Sequence, residues 1–222
     1  MNVEKTVEKS NKKAQKQSDF KKGGILQPFV KFFLKHDISP NTLTFLGMAC
    51  SICTAVLLAF GFLHQFWLWS FPVTAIVLSG FFDLVDGEVA RQREVASDSG
   101  AFLDSTFDRI SDAVVIMGMA FAGFIEFPLA YAIMFMIIMI SYTRSRAETL
   151  GVNMKGVGRM ERPDRVTFLI FALTGEFIMF YFVGISVIFA CMVLFTILIA
   201  YTLIQRVIYA YKVLNKKSDQ VQ

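Results

Sequence analysis

Asp83-Leu84-Val85-Asp86-Gly87-Glu88-Val89-Ala90-Arg91, followed after eight residues by Gly100-Ala101-Phe102-Leu103-Asp104-Ser105-Thr106-Phe107-Asp108, sets four carboxylates at the ends of apolar segments that otherwise read as membrane spans. Single acidic residues near span ends often do no more than solvate the interface. Four in two helically phased pairs repel one another and lose hydration in a low-dielectric setting, so they must take up protons or bind cations. Asp83 and Asp86 are three apart, and Asp104 and Asp108 are four apart, so each pair shares one helix face. The short loop from Gly87 to Gly100 predicts antiparallel neighbouring helices that bring both pairs to one point.

Around this stretch the chain is too apolar for a soluble domain. Of 222 residues 55% are hydrophobic, with 24 Phe and 11 Met, and the mean hydropathy is +0.54. An all-α integral membrane protein follows. Six apolar segments are long enough to cross, near residues 43–63, 67–86, 100–123, 127–146, 166–183 and 185–208, since roughly 20 residues span the hydrocarbon core. The last two are parted by a short turn around Gly184. Residues 25–37 place apolar side chains beside Lys31 and Lys35, which suits an N-terminal amphipathic helix lying in the interface, or else a plain linker. Residues 1–24 form a polar, Lys-rich arm with no apolar stretch of a signal peptide, residues 38–211 the membrane domain, and residues 212–222 a polar tail.

Lys and Arg positions orient the chain. Apart from Arg109 and Arg206 near span ends, the basic residues fall in the N-terminal arm and the interfacial helix, at Arg91 and Arg93, from Arg144 to Arg165, and in the C-terminal tail. The alternate connections, around His64 to Trp69, Glu126 and Gly184, hold none. By the positive-inside rule both termini and the aspartates face the cytosol of a multi-pass protein in the cytoplasmic membrane. The net charge of +4 is accounted for by basic loops beside an anionic leaflet and requires no nucleic acid. Cys50 and Cys53 form a C-x-x-C, but within an apolar run that lacks polar supporting groups. They and Cys191 read as packing residues.

Carboxylate oxygens are hard ligands that suit Mg²⁺ or Mn²⁺, and two such ions roughly 4 Å apart can clamp the attacking and leaving oxygens of a phosphoryl transfer. Gly87 and Gly100 let a ligand approach the backbone closely. Arg91 offers a planar donor fork to a phosphate. An EF-hand is excluded, because the loop lacks its alternating acidic pattern and late Glu. A proton or cation transporter remains the non-enzyme alternative, because intramembrane carboxylates also mark ion pathways.

The stretch from Asp83 to Asp108 resembles the signature of the CDP-alcohol phosphatidyltransferase family at every fixed position, Ala90 and the eight-residue spacer included. The resemblance covers the chain from about Ile38 onward. It implies six transmembrane helices, a homodimer and a polar site open to the cytosol. It also implies that Asp83, Asp86, Asp104 and Asp108 hold two divalent cations on the pyrophosphate of a CDP-linked lipid. By the same resemblance Asp108 would also take the proton of the acceptor hydroxyl as CMP leaves. Asn41 and Thr44, in the run Ser39-Pro40-Asn41-Thr42-Leu43-Thr44, together with Gly87, Arg91 and Ser97 match donor-binding positions. Ser39 or Asn41 reads equally as a helix cap. Asp112 continues the Asp104 face by another turn, outside the signature, as a structural partner for Arg109 or a supporting group.

Arginines carry the acceptor reading. Ser141-Tyr142-Thr143-Arg144-Ser145-Arg146-Ala147-Glu148 ends span four, Glu161-Arg162-Pro163-Asp164-Arg165 precedes span five, and Arg206 closes span six. Half-buried Arg is costly without an anion, so a cluster from three helices points to a phosphate-bearing acceptor; the alternative is that they touch lipid headgroups. These runs are most similar to the branch that uses inositol phosphate, the phosphatidylinositol phosphate and archaetidylinositol phosphate synthases. That similarity implies acceptor binding by Ser141, Arg144, Arg146 and Arg206, with either Arg162 or Arg165 on the phosphate. Glycerol 3-phosphate, also anionic, is the alternative acceptor.

Overall fold

In a computed structural model, described for residues 26–93, 95 and 97–219, the chain is all-helical. The Lys-rich segment 1–24 lies outside the described residues. A short helix α1 (Gln27–Lys35) precedes six long ones: α2 (Pro40–Ala59), α3 (Ser70–Gln92), α4 (Asp98–Phe121), α5 (Phe127–Thr149), α6 (Arg162–Ile178) and α7 (Ile188–Asp219). The last runs on through most of the segment read as a tail.

The helix starts follow from local chemistry. Ser39 caps α2, its Oγ accepting from the Thr42 amide at 3.2 Å, with Pro40 in the first turn where its missing N–H costs nothing. Ser97 caps α4 in the same way through the Gly100 amide at 3.2 Å. Glu161 and Asp164 form a reciprocal capping box at the start of α6. That helix loosens into a π-turn over Met179–Val183 and stops at Gly184, whose φ of 75° suits only a residue without Cβ strain. The turn into α7 is pinned by Glu176. His64 Nε2 at 3.0 Å and the amides of Val187 and Ile188 at 2.7 and 2.8 Å all reach its fully buried carboxylate.

Among the described residues four stretches are long and apolar enough to cross a membrane: Pro40–Ala59, Phe127–Thr149, Arg162–Val183 and Ile188–Lys216. Their outer faces carry bulky apolar side chains, among them Phe135, Phe171 and Ile197, which water would not tolerate as contiguous surface. The remaining long helices, α3 and α4, are the ones that bear the aspartates, and those charges lower their apolarity.

Packing places α2 at the centre of the site half. It lies against both α3 and α4, while α4 also meets α5, α5 meets α7, and α6 bridges α3 and α7. Contrary to the sequence expectation, α3 and α4 make little backbone contact with each other. The short connection brings their ends together, but α2 is wedged between their bodies and leaves a gap that side chains fill. A main core of Leu58, Ile76, Ile116, Met119, Leu173, Met192 and Phe195 occupies the bundle interior. A smaller cluster of Val30, Leu43, Val85 and Val89 glues α1 to α2 and α3. Beyond it, Arg93 pairs with Asp37 at 3.0 Å and ties the end of α3 to the α1–α2 link.

Candidate metal and phosphate site

The gap between α3 and α4 holds the acidic cluster. One carboxylate oxygen each from Asp83, Asp104 and Asp108 lies within 4.8 Å of the others. Asp86 stands a step aside from this trio. It is 5% exposed and accepts from Thr44 Oγ1 on α2 at 2.8 Å. The helical phasing is the cause: on α3 Asp83 and Asp86 are separated by about 300° of turn, so one faces the trio while the other leans toward the start of α2.

That offset has a use, because Asp86 opens into a cavity of about 370 Å³. Every residue expected to bind a donor lines it: Asn41 and Thr44 from α2, Gly87 and Arg91 from α3, and Ser97 at the cap of α4. Asp104 reaches the same wall. The missing side chain of Gly100 matters here, since a Cβ would stand 3.3 Å from Ser97 Oγ and 3.8 Å from Asn41 Oδ1. Arg91 is braced by Glu88, whose Oε2 accepts from Arg91 Nη2 at 2.6 Å, so the fork is held at the cavity edge. Asp83, Asp86 and Asp108 line a second, very small space of about 10 Å³ together with Thr44 and Arg162.

A model of the CDP-alcohol phosphatidyltransferases matches residues 37–214. The chain belongs to the CDP-alcohol phosphatidyltransferase family. Membership decides for a transferase over the cation transporter. Its sequence is 33% identical over 137 residues to archaetidylinositol phosphate synthase of Pyrococcus horikoshii, covering 61% of this chain and 69% of that one. It is 36% identical over 148 residues to phosphatidylinositol phosphate synthase of Streptomyces avermitilis, covering 64% of this chain and 59% of the relative. The crystal structure of Mycobacterium tuberculosis phosphatidylinositol phosphate synthase with CDP-DAG bound superimposes with a TM-score of 0.68 at 30% identity, covering 84% of this chain and 94% of that one. The same enzyme in complex with manganese and citrate gives a TM-score of 0.68 at 30% identity, covering 84% and 89%.

This transferase has a donor set that fits a divalent ion. The ligands are all hard oxygens, and Asp104 Oδ1 is buried with no hydrogen-bond partner among the described residues. An orphaned carboxylate oxygen is expensive unless something positive meets it.

The arginines expected to bind the acceptor take three kinds of place. Arg162 enters the cluster directly, its Nη1 touching Asp83 Oδ1 and lying 2.9 Å from Asp108 Oδ1. Arg144 and Arg146 are exposed on α5, Arg144 pairing with Glu148 at 3.0 Å on its own helix. Arg165 and Arg206 instead face inward. Arg165 donates to Asp112 Oδ2 at 2.7 Å and to the Met160 carbonyl at 3.1 Å. Arg206, 4% exposed, donates to the carbonyls of Val157 and Ile140, each at 2.9 Å. Gly158, at a φ of 102°, lets the loop close over it, since a Cβ there would meet Thr202 Cγ2 at 2.8 Å. Asp112 is thus the hydrogen-bonding partner of Arg165 rather than of Arg109. What sequence reasoning passed over is Arg109 itself. Its Nε donates to Ser141 Oγ at 3.0 Å, and its Nη1 lies 3.6 Å from Asp108 Oδ2. The only hint in the chain is its place next to Asp108, and no pattern of spacing predicts the reach across to α5.

Proposed function

We propose that this transferase moves a phosphatidyl- or archaetidyl-type group from a CDP-linked lipid to inositol phosphate and releases CMP. The observation that carries the reading is the junction of two features. Three carboxylates converge, and one of them, Asp104, together with Asp86 beside the trio, lines a cavity also lined by Asn41, Thr44, Gly87, Arg91 and Ser97. The first suits divalent cations, and the second suits a nucleotide diphosphate. Relatives named as inositol phosphate synthases of two kinds support the acceptor.

In this reading Asp83, Asp86, Asp104 and Asp108 hold two Mg²⁺ or Mn²⁺ ions, which supply charge neutralisation for the donor pyrophosphate and the leaving CMP. Thr44 orients the Asp86 carboxylate by its hydrogen bond. Arg91, braced by Glu88, receives a donor phosphate oxygen. Asp108 takes the proton from the acceptor hydroxyl as that oxygen attacks the lipid-linked phosphorus and the bond to CMP breaks. Ser141, Arg144, Arg146 and Arg162 meet the acceptor, while Arg165 and Arg206 hold α6 and the loop of residues 150–161 in place behind it. Six spans within residues 38–211, an α1 lying in the interface, cytosolic termini and site in the cytoplasmic membrane, and a homodimer complete the picture. The distribution of Lys and Arg supports the orientation.

The test is CMP release from a CDP-linked lipid in detergent with Mg²⁺ or Mn²⁺, with inositol 1-phosphate, glycerol 3-phosphate, free inositol and serine offered separately. Release with inositol 1-phosphate alone is expected. Release with glycerol 3-phosphate alone would keep the chemistry and overturn the acceptor.

A further inference from the structure

Arg162 occupies an unusual place for a residue that is to meet an acceptor. Its guanidinium lies among the carboxylates that are to hold the metal, in contact with Asp83 and 2.9 Å from Asp108. Its side chain is 11% exposed, and its Nε is buried with no hydrogen-bond partner among the described residues. The fork is therefore only partly satisfied where it sits.

We infer that Arg162 is a built-in competitor of the divalent ion, holding the carboxylate cluster together until the ion binds and being released toward the acceptor by that binding. The inference rests on the metal-dependent transferase reading above and deepens it by setting an order, metal before acceptor. The physical argument is one of shared seats. A Mg²⁺ or Mn²⁺ ion needs carboxylate oxygens at about 2.1 Å, and two of the trio's carboxylates, Asp83 and Asp108, already have an oxygen each engaged by Arg162 Nη1. The space remaining beside them is about 10 Å³, hardly one water. An ion and a guanidinium cannot both hold these oxygens there, being of the same sign in a poorly screened setting. The anchor of α6 is elsewhere: Arg165, one turn on, is tied to Asp112 and the Met160 carbonyl. Arg162 stands at the first position of the helix, so its long side chain can swing without disturbing that anchor.

The opposite reading, a permanent brace that orients the ligands, predicts the opposite sign, because removing a brace weakens metal binding. The experiment is titration of the full-length protein in detergent with Mn²⁺, followed calorimetrically and by the Mn²⁺ spin-resonance signal, for the unaltered chain, Arg162→Gln and Arg162→Lys. Competition predicts at least tenfold tighter Mn²⁺ binding by Arg162→Gln and an intermediate gain for Arg162→Lys, whose ammonium is a single point of contact. In chelator Arg162→Gln should melt below the unaltered chain, and Mn²⁺ should raise its melting temperature by more. Equal or weaker Mn²⁺ binding in the variants overturns the inference while leaving the metal site standing. An unaltered chain that binds no Mn²⁺ overturns both. Should Arg162→Gln not fold, the charge-retaining Arg162→Lys decides by the same sign.

Discussion

Replacing Gly118 by alanine should loosen the bundle measurably, because α2 and α4 cross there with no room for a methyl group. A Cβ on Gly118 would stand 2.6 Å from Ala55 Cα, 2.7 Å from Ala55 O and 2.9 Å from Ala55 Cβ. Carbon contacts settle near 3.5–4.0 Å, and the obstacle is backbone rather than the tip of a flexible side chain. The helices must therefore part by about 1 Å. Overpacking of this kind costs about 1–3 kcal/mol, and the better helix propensity of alanine returns at most about 1 kcal/mol. Gly175→Ala on α6 is the internal control. Apart from its own stretch of helix, nothing lies within 4 Å of its added Cβ, so only the propensity gain remains. With about 2–4 °C per kcal/mol for a chain of this size, Gly118→Ala should melt several degrees lower and Gly175→Ala no lower than the unaltered chain. The assay is a thermal scan at one rate in one detergent, read by the fluorescence of Trp67 and Trp69. Gly118 lies about 15 Å along α4 from Asp108 at ~1.5 Å per residue, so KM for the donor in the folded fraction should stay within about twofold. A Gly118→Ala protein as stable as the unaltered chain, or a Gly175→Ala protein that falls as far, would refute the close-crossing argument.

Three further outcomes follow from the site. Asp108→Asn should abolish CMP formation in a protein that still folds, measured by nucleotide release against a thermal scan; retained turnover would remove Asp108 as the base. Arg165→Leu strips the buried Asp112 carboxylate of its hydrogen-bonding partner, leaving only the charges of Arg109 and Arg162 nearby, and should cost about 3 kcal/mol, while the double change Arg165→Leu with Asp112→Leu should recover most of that loss. Equal stabilities of single and double variants in a denaturant titration would mean that the pair is not coupled. Arg206→Ala strips the Val157 and Ile140 carbonyls of their donor and loosens the loop over the acceptor side, so the acceptor KM should rise about tenfold with the donor KM little changed. An unaltered acceptor KM would leave Arg206 a purely structural residue.

Much of the site was legible because its chemistry is local in the chain. The four aspartates, the two glycines and Arg91 occur within one stretch, and helical spacing brings out the two pairs, though not that Asp86 turns from the trio toward Thr44. Ser39 announces its cap in the same way, whereas Ser97, read only for the donor, proves also to cap α4. The cavity was legible in part, through Asn41 and Thr44, because the run that opens α2 resembles a known one. The arginines were the hardest. Arg162 and Arg165 are three apart on one helix and look alike in sequence, yet one enters the carboxylate cluster and the other is consumed by Asp112 and a carbonyl. Arg109 looks like an ordinary charge at a span end and turns out to join Asp108 to Ser141.

By itself, then, the sequence determined the solvent, the helices and the class of chemistry, since apolar length, capping residues and paired carboxylates act through neighbours a turn away. Only the tertiary structure decided who meets whom. The wedge of α2 between α3 and α4 depends on how Gly118 lets it approach, and that wedge, rather than the short loop, opens the gap in which the carboxylates converge. Which arginine faces inward, outward or into the cluster depends on the rotation of α6 and α7 against their neighbours. That rotation is set by packing summed over the whole core, and no single stretch of chain encodes it.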